Sequence, residues 1–184
     1  MPLAPASREA GAGPASRTDD LRPPVPLAEP GWTPVNPFAP FDVERAFLVH
    51  RHGESRVRLA YYRRDDGSVA GKAWFGTDAQ GPPGHAHGGS LAAVLDEVMS
   101  AAAWVAGHPI VVARIAVDFR AMLPLGTDAT FESRVERVEG RKVFVRGRLR
   151  HEQTVFAEGE AVCVVLDETL RRRVFDLQPD ESSR

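Results

Sequence analysis

The sequence predicts an α+β domain in which an antiparallel sheet wraps around one long central helix. Three observations carry this reading. Period-two alternation dominates from Glu54 onward, one helical stretch runs from about Gly89 to Val105, and the turns between the later strands are too short for crossover helices. The 184 residues hold 23 Lys and Arg against 25 Asp and Glu, a formal charge of -2, so nothing draws the chain as a whole towards nucleic acid or membrane phosphates. With 43% apolar and 26% charged residues it can build a core. The single cysteine, Cys163, excludes an intrachain disulfide and a multi-cysteine zinc site, and makes a reducing, cytoplasmic location the default. Asp96 and Glu97 interrupt the longest apolar run, Ser90 to Gly107, which therefore does not read as a membrane span. The N-terminus lacks the apolar stretch of a signal peptide.

Ten of the 15 prolines fall in the first 40 residues. Residues 1–45 are therefore expected to form a Pro/Ala-rich arm, largely extended or disordered, followed by a domain over 46–168 and a C-terminal tail over 169–184. Trp32, Phe38, Phe41 and Phe47 suit a strap lying on the body. Val57, Leu59 and Tyr61 alternate with polar or small neighbours, and the turn Asp65-Asp66-Gly67-Ser68 leads into a second strand, Val69 to Phe75. The helix follows the Gly-Pro loop Gln80–Gly84 and stops at Gly107 and Pro109. It is apolar nearly all round, the mark of a buried helix. Four antiparallel strands follow, beginning with Val111 to Phe119, whose odd positions form the expected greasy face, then Thr130 to Val138, Lys142 to Arg150 and Thr154 to Leu166.

The run His85-Ala86-His87-Gly88-Gly89-Ser90 opens this helix. Glycines there let a ligand approach free N–H groups at the positive end of the helix dipole, which can polarise a carbonyl and hold an oxyanion. Nine residues after His87, Asp96 places a carboxylate in apolar surroundings, where it is costly unless hydrogen-bonded or used as a base or nucleophile. The helix rise separates the two features by roughly 13 Å. One chain cannot bring both to one carbonyl, but a two-fold dimer with antiparallel central helices can, and it makes two equal sites. The same offset argues against zinc bound by His85, His87 and Asp96. Glu97, about 100° round the helix, is expected to be solvated or salt-bridged, and Cys163 to pack in the core.

The segments HGGSLAAVLDE, IAVDFRAMLPLG and VEGRKVFV together resemble hotdog-fold acyl-CoA thioesterases of the PaaI-like group, including the animal mitochondrial branch, over roughly residues 54–167. The resemblance implies a homodimer or dimer of dimers that hydrolyses acyl-CoA without metal or other cofactor. It implies that Asp96 is the catalytic carboxylate, with Gly88 and His87 acting on the thioester carbonyl. Gly89, Asp118, Arg120, Arg141 and Lys142 would bind substrate, and basic side chains suit the phosphates of CoA. Asp118 is the odd member, because phosphate would repel it. Relatives carry Ser or Thr where this chain has Val112, and some carry Asn where it has Gly81; Gln80, His85 and Ser100 are the candidate substitutes. The alternatives within the fold are an acyl-carrier-protein thioesterase or a dehydratase-like enzyme of a biosynthetic pathway. The alternative of another class is a non-catalytic acyl-CoA sensor. The arginines between Arg134 and Arg150 alternate with acids as on a solvated sheet face, and Arg171 to Arg173 are too few to bind nucleic acid.

Overall fold

The computed structural model describes residues 21, 24–38, 48 and 56–175. The strands are β1 (Trp32–Pro34), β2 (Val57–Arg64), β3 (Val69–Phe75), β4 (Ile110–Phe119), β5 (Asp128–Glu139), β6 (Lys142–His151) and β7 (Thr154–Val165). They form one antiparallel sheet in the order β1-β2-β3-β5-β6-β7-β4. The long helix α1 (Gly88–Val105) packs across it, and a short helix α2 (Glu168–Phe175) follows β7.

The helix is held by its shape as much as by its composition. Val94, Leu95, Val98 and Met99 are fully buried against Phe75, Phe131, Val143, Leu149 and Cys163. Each such side chain removed from water contributes about 1.5–3 kcal/mol. Gly147 and Gly159 are register partners on β6 and β7. A Cβ at Gly147 would lie 2.9 Å from Met99 Cγ, and one at Gly159 would lie 3.1 Å from Met99 Cε. Facing glycines thus open a seat for Leu95 and Met99, and this seat fixes the height of the neighbouring Asp96 above the sheet.

Three features differ from the expectation. First, β4 does not pair with β5, the next strand in the chain. It sits at the far end of the sheet, paired only with β7, so residues 120–127 are a crossing rather than a hairpin. That crossing is bound under the helix entry through Ala86 N–H to Leu123 O (2.8 Å), Leu125 N–H to Gly84 O (3.0 Å) and Gly126 N–H to Phe75 O (2.8 Å). Second, a bulge between Val112 and Arg114 breaks the alternation of β4. Val112 turns towards α1 opposite Cys163, and after the bulge Ile115, Val117 and Phe119 do so, leaving Arg114, Ala116 and Asp118 on the outer face. Val111 therefore falls off the expected greasy face. Third, the chain beyond Val165 opens as a helix, capped by Asp167 Oδ1 accepting from Leu170 N–H (2.8 Å) and supported by the Arg171–Glu168 pair (3.0 Å).

Part of the arm lies on the body. The Trp32 ring stands 5.3 Å from Tyr62, with Arg64 and Lys72 over it at 5.5 and 5.8 Å. Tyr62 Oη donates to Pro26 O (3.4 Å), and Phe38 meets Tyr61 edge-on. Phe41 and Phe47 lie outside the described residues.

Candidate active site

The helix entry is built around His87. Its extended backbone makes it the N-cap of α1, and Nδ1 accepts the Gly89 N–H at 2.9 Å. Neutral His87 then carries its proton on Nε2, a donor directed away from the cap. A Cβ at Gly89 would stand 2.9 Å from Nδ1, so glycine there is a requirement of the cap. The Gly89 amide expected to face substrate is turned to the His87 ring instead. Gly88 N–H, in contrast, has no acceptor among the described residues. The Phe119 ring closes on Gly88, 3.4 Å from where its Cβ would be.

The loop before the helix leaves little freedom. Gly81 N–H donates to His85 O (2.9 Å), and a Cβ at Gly81 would come within 2.8 Å of His87 Cα. No asparagine side chain fits there. Of the candidate substitutes, Gln80 Oε1 accepts from Gly84 N–H (3.2 Å), and His85 Nδ1 lies 2.9 Å from Pro83 O, so both serve the loop. Ser100 remains, half-buried one turn beyond Asp96.

Asp96 is half-buried in mid-helix and has no hydrogen bond or ion pair among the described residues. Burial holds its carboxyl above the usual aspartate range. Burial and then the Asp96 charge push the Cys163 thiol up to about 11, so Asp96 faces the β7–β4 end of the sheet. Val112, opposite Cys163, is hydrocarbon at the position where the resemblance led one to expect Ser or Thr. Glu97 is not salt-bridged among the described residues. It is half-buried with no ion pair among the described residues, and burial followed by the neighbouring Asp96 raises its pKa. It faces the opposite end of the sheet: burial and then Glu97 raise the Tyr61 phenol, whose buried Oη has no hydrogen-bond partner among the described residues.

The expected substrate-binding cations fall into two groups. Arg120 is held by Asp118 (3.3 Å) and Glu158 (3.1 Å) at the Phe119 end of β4. Arg141 donates to Val165 O (3.1 Å) and approaches Asp167 (3.7 Å), while exposed Lys142 beside it has no ion-pair partner among the described residues. Lys142 is level with Val164 and hence with Val111, at the other end of β4. Nine residues of strand, roughly 30 Å, separate the groups within one chain. No cluster of three or more His, Cys, Asp and Glu suited to a metal ion occurs among the described residues. No helix among them is long and apolar enough to cross a membrane.

Residues 83–158 match the thioesterase superfamily. Acyl-coenzyme A thioesterase THEM5 of Mus musculus is 36% identical over 89 residues, 47% of this chain and 36% of its own length. The chain thus aligns with little more than a third of that relative. A solved thioesterase superfamily protein shares 31% identity with a TM-score of 0.56, over 58% of this chain and 53% of its own. The phenylacetic acid degradation protein PaaI of Thermus thermophilus gives a TM-score of 0.53 at 20% identity, over 60% of this chain and 94% of its own. The sheet curled around α1 is the hotdog fold of these neighbours.

Proposed function

We propose that this chain, a hotdog-fold domain of the thioesterase superfamily, hydrolyses acyl-CoA to a carboxylic acid and free CoA. The observation that carries the reading is Asp96, a half-buried carboxylate with no partner among the described residues, on the same helix as the uncommitted Gly88 N–H. In the proposed reaction the thioester carbonyl accepts from Gly88 N–H and from His87 Nε2–H. Ionised Asp96 either attacks the carbonyl carbon, forming a mixed anhydride that water then cleaves to the carboxylic acid and free Asp96, or takes the proton of a water that attacks the carbonyl carbon and gives the acid directly. The C–S bond breaks, and the leaving thiolate takes up a proton as CoA thiol. Oxyanion donors of this kind are each worth about 10²–10³ in rate. Eight residues of straight helix, about 12 Å, keep Gly88 and Asp96 of one chain apart, so the site is proposed to form between two copies in a cytoplasmic homodimer or dimer of dimers. The edge of β4, unpaired among the described residues and with Val111, Ile115 and Phe119 exposed, supports that arrangement. Val112 in place of a hydroxyl residue favours, as the second reading, a variant acting on acyl-carrier-protein thioesters.

The test is thiol release from a panel of acyl-CoAs by the wild type and Asp96→Asn. The wild type is expected to release thiol, and the variant to lose at least about a thousandfold in kcat/KM. Because the ionised form acts and its pKa is raised, activity should fall as pH drops through a value above the ordinary aspartate pKa. No hydrolysis of any acyl-CoA would defeat the reading, and unchanged activity in Asp96→Asn would remove the role of Asp96. Tight binding without turnover would point to a sensor.

A further inference from the structure

We infer that the cleft between the strap and the end of α1 is a second ligand site, one that takes a small aromatic monocarboxylate. The inference goes beyond the proposed hydrolysis and does not rest on it. Residues 33–37 line the cleft from the strap, Trp104 and Val105 from α1, and Arg63 from β2, around a volume of about 280 Å³. Trp104 lies eight residues beyond Asp96, about 12 Å along α1 and about 80° round it. The cleft therefore sits at the β1–β2 end of the sheet, away from the β7–β4 end that Asp96 faces.

Three features define the ligand. The first is charge. Arg63 is the only charge among the described residues that line the cleft, and this exposed guanidinium has no hydrogen-bond or ion-pair partner among the described residues. Other arginines of the sheet differ: Arg64, one residue on and on the outer face, meets Glu132 at 2.9 Å, and every arginine of β5 and β6 meets an acid. Register holds Arg63 in place, opposite Thr33 and on the same side of β2 as Tyr61, whose ring packs on buried Phe131. One guanidinium with no second cation suits the planar carboxylate of a monoanion, held through two parallel N–H donors, and does not suit a polyphosphate. The second feature is the apolar remainder. Pro34, Val35, Pro37, Trp104 and Val105 offer ring and hydrocarbon surface, where an aromatic body gains most because ring pairs contribute beyond the area they bury. The volume lies just under the range that holds drug-sized molecules, so that body is a single ring. The third feature is preorganisation. Pro34 and Pro37 each fix a backbone angle, Val35 N–H donates to Tyr61 O at 3.1 Å, and Asn36 Oδ1 accepts from Phe38 N–H at 3.2 Å. A rim held in this way costs little to order when a ligand enters.

The probe is 4-fluorobenzoate, followed by fluorine NMR on the full chain. It is expected to bind with a dissociation constant on the order of 1 mM. Arg63→Gln should weaken binding at least about tenfold, and Arg63→Lys by less, because the charge stays while the fork is lost. 4-Fluorobenzyl alcohol keeps the ring without the charge, and fluoroacetate keeps the charge without the ring; each should bind at least about tenfold more weakly than the acid. Trp104→Leu should cost at least about threefold. Arg63 is exposed and unpaired among the described residues, so its replacement should leave the thermal midpoint within about 2 °C of wild type. Asp96→Asn, and Arg114→Gln at an exposed arginine outside the cleft, should leave the dissociation constant within about twofold. No binding up to about 10 mM, an alcohol that binds as well as the acid, or an Arg63→Gln variant that binds as wild type overturns the site. Loss of binding in Asp96→Asn overturns it as well, because the acid would then occupy the proposed catalytic site. Thiol release is scored separately: its absence defeats the catalytic reading and leaves this site standing.

Discussion

The two ends of the sheet are finished in opposite ways. At one end β1 is three residues long, ends in Pro34, and is anchored by Trp32 between Tyr62, Arg64 and Lys72. At the other, ten-residue β4 has no neighbour beyond β7 among the described residues and exposes Val111, Ile115 and Phe119, with Met122 just past it. A short edge bearing proline offers little to another strand, while a long apolar edge is a template for one. The adjacent carboxylates of α1 follow the same division. Glu97 faces the closed end through Tyr61, and Asp96 faces the open end through Cys163. The chain therefore offers a short, proline-bearing edge at one end and a long apolar edge at the end where the proposed reaction occurs.

The largest expected effect comes from a charge placed on the open edge. Ile115→Lys, which puts a cation among the apolar side chains at the mouth of α1, should give a folded monomer by sedimentation and lower kcat/KM for thiol release by at least about a hundredfold. Thr33→Lys, the matched change on the closed edge, should alter neither. An active Ile115→Lys monomer, or an equal loss from Thr33→Lys, would erase the distinction between the ends.

The fold class, the helix and the position of Asp96 are legible in the sequence because each is written in local periodicity and in one charged residue set among apolar ones. The order of strands is not. The passage of residues 120–127 under the helix entry depends on long-range hydrogen bonds to Phe75, Gly84 and Ala86, which leave no local signature. The bulge at Val112–Arg114 is equally silent, since the residues before it, Ile110 to Ala113, are all apolar and suit either face. At the site, the likeness of His87-Gly88-Gly89 to an oxyanion motif concealed the division of labour between its glycines. The reason Gly89 must lack a side chain is a 2.9 Å approach to Nδ1, visible only once the cap is formed. Helical angle alone does not reveal that Glu97 is half-buried and close enough to Tyr61 to raise its pKa.

A second comparison sets the outer face towards the closed end against the same face at β4. Glu132 accepts from Arg64, Arg148 and Arg150, joining β2, β5 and β6. Burial alone would raise its pKa, but the hydrogen bonds from Arg64, Arg150 and Arg148 outweigh that and hold it at about 2. A carboxyl depressed in the folded state contributes stability that is fully present above its unfolded pKa and is lost as pH falls through the folded value. Glu132→Gln should therefore cost about 1–3 kcal/mol near neutral pH, in chemical denaturation, with the difference from wild type shrinking below about pH 4.5 and gone near pH 2. A difference that does not depend on pH would mean that packing, and not charge, is what Glu132 supplies.

The smallest effect belongs to the strap. Trp32 lies on the face of the sheet turned away from α1, where its ring rests against Tyr62 beneath Arg64 and Lys72. Partly exposed cation–π contacts contribute about 0.5–1 kcal/mol each, and the aromatic pair contributes a similar amount. These contacts are not independent, because both cations also engage acids, Arg64 with Glu132 and Lys72 with Glu29 at 3.4 Å. Trp32→Ala should thus destabilise the chain by about 1–2 kcal/mol, less than the sum of its contacts, because Arg64 stays bound to Glu132 when the ring is gone. The change is far from Asp96 and from β4, so thiol release and the dimer dissociation constant should stay within about twofold of wild type. Thermal unfolding checks the first part and sedimentation the second. A loss of dimer on removing Trp32 would show that the closed end supports the open one through the sheet, and that the two are not the separate regions their geometry describes.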